Sequence, residues 1–255
     1  MDRRRFLAGA AAAGVAGLAG CGTASGAIRP PELPKRRLDE GGWERTTADT
    51  EEVFSRTVAG TDVSATAVTR VFDDVALRSD VSEKTLGALD APLSNFFAAR
   101  IAFTPNLADV PIESAREELA ARAGEVAAGQ FEAQLEAAGL SDVSASDGGT
   151  LTVETGEEAS LTAYNAAFEF DAISFEVRGE TITIEGGSVD VEGLLATWVH
   201  DGGLLLSGGA YPAENFARTV EKELSDAITV SVDVDLGLEP ETYAEEVTGL
   251  LKRVE

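Results

Sequence analysis

The feature that most constrains the fold is a period of two. Residues 51–58, EEVFSRTV, and 61–74, TDVSATAVTRVFDD, alternate in the strand manner and are dominated by β-branched side chains, with Ala59-Gly60 between them. A β-strand sends successive side chains to opposite faces, so such segments must lie in a sheet with at least one face covered. Two antiparallel strands are therefore expected over Glu51–Asp74. The same period returns in TLTVE at 150–154, SLTAYNAAFEF at 160–170, SFEVRG at 174–179, ETITIEG at 180–186 and a short SVDVEG at 188–193. Leu194–His200 and Gly203–Ala210 flank Asp201-Gly202, a dipeptide suited to the positive φ angles of a tight hairpin. TVSVDVDLG at 229–237 alternates once more.

Helical spacing covers the rest. Asp80–Leu89 reads as a short helix capped by Ser82 or Asp80, and Leu93–Phe103 fits either a strand or a helix. The clearest helix opens at Pro111 and runs to Ala138, with Leu119, Ala123, Val126, Ala127, Phe131, Leu135 and Ala138 on one stripe and Gly139 as its stop. Pro212 is expected to open a helix with Phe216, Val220, Leu224 and Ile228 facing inward. Pro240 starts a last one with Tyr243, Val247, Leu250, Leu251 and Val254. The sum is an α+β fold: an antiparallel β-sheet with helices packed on its faces, as a single domain over residues 43–255.

Ahead of that domain the chain changes character. MDRRRFLAGAAAAGVAGLAGC has a basic start and an uncharged run from Phe6 to Gly20. At about 1.5 Å per residue that run is shorter than the ~30 Å hydrocarbon core of a bilayer, so it reads as a signal peptide over residues 1–20. Arg3, Arg4, Phe6 and Leu7 resemble the twin-arginine export motif. Leu18, Ala19, Gly20 and Cys21 resemble a lipobox, which makes Cys21 the lipidation site and membrane lipid its partner. Cys21 is the only cysteine. Residues 21–42, with Pro30, Pro31 and Pro34, read as an extended tether in which Arg29, Lys35, Arg36 and Arg37 face either headgroups or solvent.

Charge narrows the class further. Without residues 1–20, acids number 44 against 17 bases, a net charge of −27. A polyanion of this strength repels nucleic acid, so no nucleic-acid partner is expected. The acids are spread along the chain rather than clustered, which suits a surface bathed in concentrated salt, where the screening length shrinks to about 3 Å at 1 M. An acidic patch for a basic partner or for divalent cations is the competing reading.

Candidate chemistry is sparse. His200 is the sole histidine and stands beside a hairpin turn. Ser188 and Ser207 lie beside glycines, but neither sits in G-x-S-x-G. Asp233 and Asp235 alternate on one strand face, where a cation would need further carboxylates. Trp198, Phe96 and Phe97 fit either a core or a ligand groove. No catalytic residue, metal site or cofactor is expected.

The stretch from Trp43 onward resembles a family of uncharacterised haloarchaeal lipoproteins. The likeness rests on the opening Gly42-Trp43, on FFAARIAFTPNL at 96–107, IEGGSVDVEG at 184–193, GGAYP at 208–212 and VDLGLEPETY at 234–243. It implies twin-arginine export and a lipid anchor, and no known activity. The order of strand pair, long helix, hairpins and closing helix also looks like the layered fold of PsbP-like proteins, which act as binding or accessory modules. The expected role is a membrane-anchored, extracytoplasmic, non-catalytic module that binds a protein partner or small ligand. A surface hydrolase or metal-dependent enzyme, and the solute-binding component of a transporter, are the alternatives.

Overall fold

A computed structural model describes residues 28–255, apart from 59–60, 86, 88, 111, 178–179 and 226–227. The export motif, the lipobox and Cys21 lie outside the described residues.

Two antiparallel ribbons share one edge. The first contains β1 (Trp43–Val58), β2 (Thr61–Asp74) and β3 (Asn95–Thr104). The second contains β4 (Leu140–Thr152), β5 (Glu158–Phe170), β8 (Gly187–His200) and β9 (Gly203–Pro212). They join along β3 and β9 into a seven-stranded sheet ordered β1-β2-β3-β9-β8-β5-β4. Helix α3 (Glu113–Ala137) carries the chain from the first ribbon to the second. Two further hairpins, β6 (Ile173–Val177) with β7 (Glu180–Ile184) and β10 (Ala217–Ser225) with β11 (Ile228–Asp235), stand apart from the sheet.

Alternation sorts the core onto the two sheet faces. Ala99, Ile101, Leu204, Leu206, Leu195 and Tyr164 face α3 and meet its Leu119, Ala123, Phe131 and Leu135. Phe96, Ala98, Leu205, Ala196 and Trp198 face the other way, onto Val247, Leu250 and Leu251 of α4 (Pro240–Leu251). Strand β9 is buried along all ten residues. That explains Leu204-Leu205-Leu206, a continuous apolar run where a half-exposed strand would alternate. A third cluster packs Leu77 and Val81 of α2 (Val75–Lys84) against Ile184, Val189, Phe216 and Val234.

The elements differ from the sequence expectation in several places: β1 already begins at Trp43, ahead of Glu51, and β8 joins 188–193 and 194–200 in one strand. Helix α2 begins five residues earlier than Asp80, because Asp74 rather than Ser82 or Asp80 caps it, its carboxylate accepting from Leu77 N at 2.9 Å. The ambiguous segment at 93–103 is strand β3. Residues 140–149 extend β4 forward, in a stretch too polar to show a buried face. No helix opens at Pro212, which ends β9, and residues 217–235 form the β10–β11 hairpin. A spacing of four between Phe216 and Val220 also satisfies a period of two, and Val220 pairs with Val232 across that hairpin.

The tether boundary also moves. Pro31 is buried, Glu32 exchanges two backbone hydrogen bonds with Glu255, and Leu38 of α1 (Lys35–Glu40) is 3% exposed against the α4 face. The last part of the segment read as tether up to Gly42 is therefore packed into the domain. Its prolines suggested a linker, whereas Leu33 and Leu38 supply the apolar contacts that dock it.

Candidate functional site

The β8–β9 turn behaves as its sequence requires: Asp201 and Gly202 take φ angles of 50° and 68°. It places His200 beside the turn at 153–157, which is closed by Val153 N donating to Glu157 O at 3.0 Å. His200 Nδ1 lies 2.7 Å from Glu157 Oε1, and Nε2 lies 3.6 Å from Asp201 Oδ2. Arg100 of β3 comes within 4.0 Å of that same Asp201 oxygen. The Thr155 hydroxyl and the His200 imidazole hold the Glu157 carboxyl below the usual carboxylate range. Even so, neither Thr155 Oγ1 nor Glu157 Oε2 has an aligned hydrogen-bond partner, and Trp198 Nε1 is likewise buried without one. Both His200 nitrogens face carboxylates. Among the described residues the ring's hydrogen bond goes to Glu157, and none joins it to a hydroxyl nucleophile.

The other candidates separate. Ser207 is fully buried in β9 and donates to Phe97 O at 3.4 Å, so its hydroxyl is a core hydrogen bond. Ser188 is exposed on β8, with its backbone paired to Glu169. Asp235 Oδ1 accepts from Asn215 Nδ2 and from Gly237 N, both at 2.8 Å, and these donors hold its carboxyl below the usual range. It brackets a turn. Asp233 projects from β11 into solvent, and no group of three or more metal-ligating side chains occurs among the described residues. Trp198 and Phe96 are core on the α4 face; Phe97 packs against Phe131 of α3 with the rings tilted by 41° and their centroids 5.1 Å apart. The space beside Phe97 under α3 is about 40 Å³, enough for one water and too small for a drug-sized ligand.

A second constellation was hidden by sequence distance. The docked segment 29–35 faces β1 and β2 across a cleft of about 720 Å³ lined by Arg29, Lys35, Arg45 and Arg70, with Glu32 its only acid. Arg29 and Lys35 belong to the segment expected to be tether, and Arg45 and Arg70 carry no motif that singles them out in the sequence. Only register could have found them: Arg45 pairs with Phe72, two residues beyond Arg70 on the same strand face, and a bulge follows at Arg45/Thr47.

A model of a domain of unknown function, DUF6517, matches residues 30–255. The chain belongs to that family. Its matched span begins one residue after Arg29, so of the four cations at the basic cleft it includes Lys35, Arg45 and Arg70. No curated protein and no solved structure matches the chain.

Proposed function

We propose that this DUF6517 protein is an extracytoplasmic lipoprotein, exported through the twin-arginine route, lipidated on Cys21 and carrying a non-catalytic binding or accessory module suited to high salt. The observation that supports it is the division of the chain. The family domain spans 30–255, and the residues ahead of it hold a basic start, an apolar run of signal-peptide length and the sole cysteine. Two acyl or alkyl chains on Cys21 would hold the protein stably, since a single chain binds only marginally. No helix among the described residues is long and apolar enough to cross a membrane.

The non-catalytic part of the reading draws on Ser207 lying inside the sheet and on His200 having Nδ1 held by Glu157, with a second carboxylate, Asp201, 3.6 Å from Nε2. The net charge of −27 after residue 20 supports the salt adaptation. Fractionation of the native host tests the anchor: Cys21→Ala should move the protein out of the membrane fraction, and Arg3→Lys with Arg4→Lys should hold it inside the cell. Intact mass of purified protein should place the new N-terminus at Cys21 with added lipid mass. Retention of residues 1–20 or an unmodified Cys21 would overturn the reading.

A further inference from the structure

The basic cleft stands against the net charge of the chain. With 44 acids available after residue 20, solitary cations on this surface have carboxylates to choose from, and several take them: Arg36 with Glu40, Arg78 with Asp90, Arg122 with Glu125 and Arg253 with Glu154. Arg29, Lys35, Arg45 and Arg70 instead converge on one cleft and make no ion pair among the described residues. Like charges brought together repel, and that repulsion is relieved when an anion enters.

The cleft is also built rather than accidental. Its outer wall is pinned at Glu32 by the two backbone bonds to Glu255, and its floor holds the buried Pro31. Its inner wall is the strand pair, where half-buried Arg70 spends one donor, Nη1, on Thr69 O at 2.8 Å and keeps the others. Guanidinium groups offer parallel N–H donors that match the oxygens of a phosphate, and such charge-assisted contacts act at hydrogen-bond distance, where salt screens least.

We propose that this cleft is a phosphate-binding site, taking a phosphomonoester or phosphodiester group between Arg29, Lys35, Arg45 and Arg70. A lipid headgroup and a soluble phosphate compound share that chemistry. The lipid source rests on the anchor reading: Arg29 is eight residues beyond Cys21, a reach of at most about 29 Å when fully extended. The phosphate chemistry itself does not depend on the anchor.

The test uses the full chain carrying Cys21→Ala, so that lipidation plays no part. Inorganic phosphate is titrated and followed by phosphorus NMR, and flotation is measured with phosphatidylglycerol and phosphatidylcholine vesicles at one fixed salt concentration. Saturable phosphate binding that weakens about tenfold or more in Arg45→Ala/Arg70→Ala is expected, with Arg122→Ala on α3 binding as the parent does. Arg29→Ala/Lys35→Ala, on the exposed wall, should weaken it too, and repeats the test should the strand variants fail to fold. Flotation with phosphatidylglycerol alone, lost in the same variants, assigns the lipid headgroup; the signal segment is common to all variants and cancels. Phosphate binding without flotation assigns a soluble phosphate compound and leaves the site standing. Absence of binding to either probe, or variants that bind like the parent, overturns the proposal. Failure of the anchor would show separately, in host fractionation.

Discussion

Trp43 donates its indole N–H to Glu246 Oε1 at 2.8 Å, tying the first residue of β1 to the middle of α4 across 203 positions of sequence. Trp43 also meets Phe96 edge-on at 6.3 Å, so the same ring closes the α4-side core. Replacing it by Phe keeps most of the packing and leaves the half-buried Glu246 without its donor. Trp43→Phe is expected to cost about 1–3 kcal/mol in urea unfolding with little change in the denaturant slope.

Asp74 gives the domain an unusual pH response. Burial, with Glu246 nearby adding to it, pushes the Asp74 carboxyl up to about 6 against the pull of its bond from Leu77 N. The folded state then holds a proton that the unfolded state releases near pH 4, so this group's contribution is full below about pH 4 and is lost as pH rises through about 6. Asp74→Asn keeps the cap oxygen and removes the charge. Thermal unfolding should show the variant more stable than the parent at pH 7.5 and level with it at pH 4; a variant less stable at both would contradict the argument.

The seam between the ribbons tolerates no added atom at Gly209. A Cβ there would lie 2.5 Å from Asn95 O and 3.0 Å from Val247 Cγ1, so β9 would have to move from both β3 and α4. Gly209→Ala should destabilise by about 1–3 kcal/mol or more, measured by chemical denaturation. Gly129→Ala, in the open on α3, should be neutral or stabilising, because alanine is the better helix former.

His200 provides the test between a structural and a catalytic reading. If the Glu157–His200 pair only ties the β4–β5 turn to the end of β8, His200→Gln should shift the melting temperature by a few degrees at most. A screen of esterase, phosphatase and peptidase substrates that showed turnover in the parent and none in His200→Gln would instead establish the enzyme alternative.

Much of the architecture can be read from spacing, and the exceptions have physical causes. The Asp201-Gly202 hairpin, helix α3 with its stop at Gly139, and α4 with Pro240 at its start follow from local chemistry that tertiary contacts do not override. Strand β11 follows from the alternation at 229–237, whereas β10 carries apolar residues four apart that fit a helix as well as a strand, and only its pairing with β11 decides between them. Segment 31–42 looked like a linker because its contacts are with the far end of the chain, at Glu255 and on α4. The basic cleft was invisible for the same reason: Arg29 and Arg70 become neighbours only once β1 and β2 are paired and the segment before them is docked.

The β3–β9 joint bears on how the chain is made. A ribosome delivers β1, β2 and β3 about a hundred residues before β9, so the nascent first ribbon presents β3 as an unpaired edge carrying Phe96, Phe97 and Ile101. During that interval its natural partner is missing, and a neighbouring copy offers the nearest substitute. Slow translation or truncation before residue 203 should therefore raise the yield of aggregates relative to the full chain.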